Sequence, residues 1–265
     1  MSKYLRLLNL TFQEYFVYRT NFILWQVRNF ITTLTVFLFW VAVYADKSQI
    51  FGYQRAQMLT YAVGLVFIRG LVMATKTADL PGLIKSGDLT KIIIQPWRIF
   101  SYFFVRDIPD KILNIVFAVL QIWLILSIFK FPFYFPNHWQ TYFLFGLSIF
   151  LATILFFVIS FFLSVFAFWT EELWATRWLF GVIFLEFFAG AFFPIDVLPV
   201  NIQNLINLTP FPLLAFFPLK IWLEQLPMEV VWKNIGLSFA WLIIFWILVK
   251  KLWLKGVKNY GAYGN

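Results

Sequence analysis

Along the chain, apolar residues gather into blocks of about 20, the length an α-helix needs to cross a hydrocarbon core roughly 30 Å thick. Six blocks are predicted as spans, at about 23–44, 56–75, 110–129, 141–168, 176–193 and 233–253. The fourth is long enough to tilt or to project beyond the bilayer. Ahead of the first block the period changes. Lys3, Arg6, Asn9 and Gln13 recur every three or four residues, with Leu5, Leu8, Phe12 and Tyr15 or Phe16 on the other side. That pattern predicts an amphipathic helix over about 3–19, lying in the membrane interface. Trp25, Tyr44, Trp139, Tyr142 and Trp253 fall near span ends, where amphipathic rings settle at headgroup level.

Two connections are too long to be simple turns. One covers residues 76–109. The other, 194–232, is rich in proline (Pro194, Pro199, Pro210, Pro212, Pro218, Pro227) and still strongly apolar. Proline-punctuated backbone at membrane depth must be buried in protein or line a cavity. Segments 203–209 and 213–224 are therefore expected as short helices dipping into the outer leaflet, a re-entrant hairpin between spans five and six. The predicted fold class is an all-α membrane protein with six transmembrane helices, one domain over residues 1–265. No internal repeat is visible.

Composition removes whole classes of function. The 265 residues are 62% hydrophobic and 12% charged, against about 25% charged in a soluble domain, and mean hydropathy is +0.81. A soluble enzyme is excluded. Cysteine is absent and His138 is the single histidine, so disulfides, thiolate metal sites and His-cluster metal sites are excluded too. Lys3, Arg6, Glu14 and Arg19 interrupt the first 20 residues, which show no small-residue cleavage site. No signal peptide is expected, and Met1 is expected to begin the mature chain.

The net charge of +9 does not point to nucleic acid, because no basic run is interleaved with aromatics on a polar face. Basic residues instead mark the cytoplasmic side of a membrane protein and meet anionic lipid headgroups. Of the 21 Lys and Arg, fourteen fall in one set of connections: Lys3, Arg6, Arg19, Lys76, Lys85, Lys91, Arg98, Arg106, Lys111, Arg177, Lys250, Lys251, Lys255 and Lys258. Five fall in the other: Lys47, Arg55, Lys130, Lys220 and Lys233. This asymmetry predicts both termini in the cytoplasm.

Catalytic chemistry is sparse. No glycine is followed by lysine, so a Walker A loop is absent. His138 lies in an external Phe-Pro-Asn-His-Trp loop and reads as a loop histidine near the headgroups, with nothing nearby that suggests a nucleophile. Glu171 and Glu172 read as a solvated turn. Charges inside spans are costly and often functional. Arg28 and Arg69 lie near the cytoplasmic ends of their spans, where a long side chain is expected to snorkel to the interface; a substrate role is the alternative. Glu186 lies eight residues before Pro194, about 12 Å along a helix. A short carboxylate does not reach that far, so Glu186 is expected to face the interior, paired, protonated or touching a substrate path. The spans hold too few ionisable groups for an obvious proton relay.

In layout, the chain resembles the permease subunit of type-2 ATP-binding-cassette (ABC) exporters. Ile84-Lys85-Ser86-Gly87-Asp88-Leu89, followed by Ile93-Ile94-Gln95-Pro96, looks like the family's cytoplasmic segment after span two. Gly190-Ala191-Phe192-Phe193-Pro194-Ile195-Asp196-Val197-Leu198-Pro199 resembles the turn after span five, and Pro210-Phe211 and Pro218 fit the external helices that follow. Lys258-Asn259-Tyr260-Gly261-Ala262-Tyr263-Gly264 resembles a Tyr-x-x-Tyr-Gly tail of one branch. The resemblance implies two permease chains, as homodimer or heterodimer, above two separate ATPase chains. ATP and Mg would sit on those partners, and this chain would bind no cofactor.

On that resemblance, Ser86, Gly87, Asp88, Leu89, Ile92, Ile93 and Pro96 are expected to couple to the ATPase. Asp88 is expected to cap a short helix whose apolar side (Leu89, Ile92, Ile93) docks in a groove on the partner and transmits closure to spans two and three. Pro194, Asp196, Pro199, Pro210 and Pro218 are expected to shape the external hairpin. The expected function is ATP-driven export of an amphipathic or lipid-like substrate across the inner (plasma) membrane. Two rivals stand beside it. An ATP-independent carrier or lipid scramblase would depend on a charge such as Glu186. A non-transporting membrane scaffold would depend on neither that charge nor the 81–96 segment.

Overall fold

Residues 3–170 and 180–260 are described by a computed structural model of the chain. Helix α1 (Lys3–Val17) gives way at Tyr18 to α2 (Arg19–Val43). A two-stranded antiparallel hairpin follows, β1 (Gln49–Ile50) and β2 (Tyr53–Gln54). Phe51 and Gly52 make its turn, both at positive φ, the arrangement that matches strand twist in a two-residue loop. The Tyr44 hydroxyl lies 3.0 Å from the carbonyl oxygens of both Ile50 and Tyr53, tying the hairpin to the end of α2.

Helix α3 (Arg55–Leu71) opens with a reciprocal cap in which Gln54 and Gln57 satisfy each other's backbone N–H groups. It is largely enclosed, burying Met58, Leu59, Tyr61, Ala62, Val63, Leu65 and Ile68, and it packs between α2 and α6. At 17 residues it is about 25 Å long. The chain then bends by 55° into a 3₁₀ turn (Lys76–Asp79) and α4 (Leu80–Lys85). Helix α5 (Leu89–Ile93) follows.

Helix α6 (Ile99–Phe129) starts eleven residues before the predicted span. Proline in a helix interior normally removes a hydrogen bond and crowds the preceding turn, which makes Pro109 look like a boundary. It is instead buried inside α6, as neighbouring helices permit in a membrane bundle. Helix α7 (Trp139–Val165), with a 3₁₀ extension to Phe168, reproduces the fourth predicted span closely.

Described residues resume with a π-helical stretch (Phe180–Phe188). The first residues of the predicted 176–193 span, with Arg177, Glu171 and Glu172, lie outside the described residues, as do residues 261–264 of the tail motif. Two short helices, α8 (Val200–Asn207) and α9 (Phe216–Trp222), overlap the segments 203–209 and 213–224 of the proline-rich connection. Pro194, Pro199 and Pro210 each immediately precede a helical turn, and Pro218 lies in the first turn of α9, positions where the missing N–H costs nothing. Helix α10 (Met228–Asn259) is longer than its predicted span at both ends.

Among the described residues, α2, α6, α7 with its extension, and α10 are long and apolar enough to cross a membrane, and α3 with its bent continuation makes a fifth. The main core joins α2, α3, α7, α9 and the π-helical stretch. A second core seats Leu80, Ile84 and Leu89 against Phe103, Phe161, Val165 and Val249. Between helices in lipid, such contacts stabilise chiefly by packing, since lipid tails are as apolar as leucine.

Candidate functional site

Four polar constellations stand out against this apolar bundle. The first is the predicted coupling segment. Leu80, Ile84 and Leu89 are buried in the second core and Ile92 is buried beside Leu89 on the same helix, whereas Ile93 (40% exposed) and Ile94 (76%) are not. With Gln95 and Pro96 they form a continuous exposed tip. The expectation that Leu89 and Ile92 present a docking face is thus corrected. Leu89 is already covered by α6, α7 and α10, Ile92 is only 8% exposed, and only Ile93 of that set remains outward. Asp88 stands at the N-cap of α5, but its carboxylate makes no cap hydrogen bond. Gly87, at φ +77, places Asp88 in helical conformation. Its carboxylate accepts instead from Lys91 Nζ (2.6 Å) and Ser86 Oγ (2.8 Å). The hydrogen bond from Lys91, then that from Ser86, holds the Asp88 carboxyl below its usual range.

Residues next to the tip are fastened by α1. Lys3 Nζ donates to the Pro96 carbonyl, and Tyr4 and Trp97 rings pack at 5.5 Å. At its other end α1 is held by Glu14 accepting from Arg106 (2.9 Å) and Tyr15 donating to Asp110 (2.6 Å). The helix expected in the membrane interface therefore lies along α6.

The second constellation holds the bend after α3. Breaking a helix leaves backbone groups unpaired, and buried ones must find partners. Lys111 Nζ donates to the carbonyls of Leu71 and Ala74, each at 2.8 Å. Asp107, one turn earlier on α6 and 1% exposed, accepts from the Lys76 N–H (2.6 Å) and the Thr75 hydroxyl (2.7 Å). Thr77 then donates to Ser160 of α7 at 2.7 Å, and Ser164 Oγ lies 2.9 Å from the Thr77 carbonyl. None of these residues stands out in the sequence. Inside a presumed 76–109 loop, Asp107 reads as an ordinary loop charge, and Lys111 as a basic residue at a span end.

The third is an ion pair. Arg69 was expected to snorkel; its side chain is only 16% exposed and meets Glu186 in a two-pronged contact, Nη1 to Oε1 at 2.6 Å and Nη2 to Oε2. Nη2 also donates to the Ala191 carbonyl (2.9 Å). A carboxylate within reach in a low-dielectric interior outcompetes a distant interface, and the guanidinium fork suits it geometrically. Glu186 is thereby found paired. Arg28 behaves differently: it is exposed, with its guanidinium 4.8 Å from the Trp25 ring centre.

The fourth lies at the opposite end of α3, around the hairpin. Asp196 accepts from Lys220 Nζ (2.8 Å) and Tyr53 Oη (2.7 Å). Tyr61 donates to the Gly190 carbonyl at 2.6 Å. Glu224, just past α9, caps α7: it accepts from the N–H groups of Asn137 (3.2 Å) and His138 (3.1 Å), and from the hydroxyls of Thr141 (2.8 Å) and Tyr134 (2.9 Å). His138 Nδ1 stands 3.0 Å from the same carboxylate. Burial pushes the Glu224 carboxyl up, but those four hydrogen bonds outweigh it and hold it down at about 2.

Glu224 sets up a pH prediction. A depressed carboxyl stabilises the fold above its unfolded value and loses that contribution as pH falls through the folded one, here between about 4.5 and about 2. Glu224→Gln is expected to cost ~1–2 kcal/mol at neutral pH, because an amide turns donors toward the N–H groups of Asn137 and His138. In thermal melts of purified protein, the gap between parent and variant should close across that pH window. A gap that stays constant would show that the carboxylate's charge is not what holds the cap.

A cavity of about 560 Å³ opens beside the bend, between α1, α2 and residues 73–79. Glu14, Lys76, Asp79 and Asp110 give it polar walls, and Phe22 and Trp25 apolar ones. Among the described residues, no group of three or more His, Asp or Glu side chains is placed to hold a metal ion. Compared with known families, residues 30–264 match the model of a family described as ABC-2 family transporter protein. No curated protein and no solved structure matches the chain.

Proposed function

From a chain that belongs to the ABC-2 transporter family, and is therefore the multi-pass permease of an ABC transporter, we propose an exporter of amphipathic or lipid-like molecules, driven by a separate ATPase chain. The observation that carries this reading is the Ile93–Pro96 tip. Apolar residues are exposed there on a segment whose other apolar residues are seated in the bundle. A tip of that kind suits a groove on a partner, and the seat beneath passes the partner's motion to α6, α7 and α10.

In this reading ATP and Mg bind on the partner. Both termini and the tip face the cytoplasm of a cell bounded by that inner (plasma) membrane, and the α8–α9 hairpin faces outside. A second permease chain, identical or related, completes the pathway. The cavity beside the bend, polar on one wall and aromatic on the other, favours an amphipathic substrate over a small ion.

Co-purification tests the proposal. The tagged chain, expressed in its native host and solubilised in mild detergent, is expected to bring down an ATPase with a P-loop. Because Ile93 and Ile94 are exposed, Ile93→Asp/Ile94→Asp should leave the fold intact while reducing ATPase recovery about tenfold or more, the loss of an interface hot spot. Retention of the ATPase by this variant would move the docking site elsewhere. If no ATPase appears in several mild detergents and the chain alone moves lipid in vesicles, a carrier or scramblase replaces the exporter.

A further inference from the structure

The bend between α3 and α4 divides segments that share α6 but differ in their other packing partners. α3 is packed between α2 and α6, whereas residues 76–85 pack against α6, α7 and the 3₁₀ extension of α7. At the bend the helical hydrogen bonds stop, and the peptide groups freed at Leu71, Ala74 and Lys76 are taken up by two side chains of one helix, Lys111 and Asp107. The two side chains are complementary in what they do. The ammonium collects carbonyls on the α3 side of the break, and the carboxylate collects an N–H and a hydroxyl on the far side. From there Thr77 continues the chain of hydrogen bonds to Ser160 on α7. A break left to water alone would swivel; this one is bridged on both sides by α6.

We propose that Asp107 and Lys111 are positioning residues that clamp the bend, so that residues 76–94 move with α6 and α7 as one body. The inference rests on the permease reading only for what that motion serves, the passage of a partner's movement into the bundle. Without the clamp, the tip would still dock, but the segment would rock about the 72–75 break instead of carrying α6 and α7 with it.

The chain has no cysteine, so two introduced cysteines can carry spin labels without background. Lys85→Cys on α4 and Lys251→Cys on α10 are both exposed sites. In the purified full chain, reconstituted in lipid nanodiscs, the distance distribution between them is expected to be narrow. Asp107→Asn and, separately, Lys111→Met should widen it roughly twofold, as local opening does when the hydrogen bonds that oppose it are removed. Lys111→Arg, which keeps the charge and the donors, should restore it.

Gln121→Leu supplies the comparison. It removes a buried hydrogen bond to Gln26 from the same helix, away from the bend, and should leave the distribution narrow. A distribution that stays narrow in Asp107→Asn and Lys111→Met, or widens equally in Gln121→Leu, overturns the clamp. If both variants fail to fold, the same comparison is made in the parent after Thr77→Val, which cuts the link to Ser160; an unchanged distribution there overturns it as well. The two readings fail separately. Widening in the chain alone, with no ATPase recovered in co-purification, upholds the clamp and ends the ATP-driven reading.

Discussion

Arg69→Met is expected to destabilise the folded chain by ~3–5 kcal/mol, the usual cost of leaving one member of a buried ion pair without the other. Glu186 would keep its carboxylate inside the bundle with no cation to meet it, and the Ala191 carbonyl would lose its donor. Glu186→Gln should cost less, because an amide still accepts from the guanidinium. Arg69→Met/Glu186→Leu should recover most of the loss, since apolar replacement of a whole buried pair is often neutral or better. Unfolding of the three variants in mixed micelles provides the measurement. If Arg69→Met costs under ~1 kcal/mol, in the range of an exposed pair, the contact is not what anchors the π-helical stretch to α3. The double variant also bears on the carrier alternative. A carrier that works through Glu186 would stop in the double variant even with stability restored, whereas an ATPase-driven permease would continue.

Much of the membrane layout was legible because length and apolarity are local properties. The fourth predicted span, 141–168, overlaps the helical segment Trp139–Phe168, and α8 and α9 overlap the two segments read in the proline-rich connection. Positions decided by distant neighbours were not legible. Arg69 and Glu186 are 117 residues apart, so a span read alone leaves Arg69 free to snorkel. Leu89 and Ile92 look like a docking stripe until the fold buries both, Leu89 under α6, α7 and α10. Asp107 and Lys111 bond to backbone groups, and a peptide group freed by a break leaves no trace in residue identities. Pro109 shows the opposite case: its local preference against a helix interior is strong, and tertiary packing overrides it. Glu224 left no signal of its own, because Lys220 four residues earlier looks like its partner in sequence, whereas its four hydrogen bonds come from the loop before α7 and the first turn of α7, more than 80 residues earlier.

The turn that follows the ion pair supports the second large effect, Gly190→Ala. Gly190 sits at φ +76, and an added Cβ would stand 2.9 Å from the Tyr61 hydroxyl oxygen and 3.1 Å from Phe216 Cβ. Two penalties combine: ~1–2 kcal/mol for an L-residue in left-handed conformation, and ~1–3 kcal/mol for overpacking where neighbours are fixed. Neither neighbour yields easily. Tyr61 is fully buried with its hydroxyl committed to the Gly190 carbonyl, and the Phe216 backbone donates to the Ala189 carbonyl at 3.0 Å. Gly146→Ala, in α7 with open space around it, should be neutral or stabilising by up to ~1 kcal/mol from helix propensity. Equal melting temperatures for the two variants would mean that the 190–194 turn adapts and does not fix the hairpin. Because Arg69 grips the carbonyl of the very next residue, Ala191, Gly190→Ala and Arg69→Met should cost less together than the sum of their separate effects, as substitutions sharing one contact do.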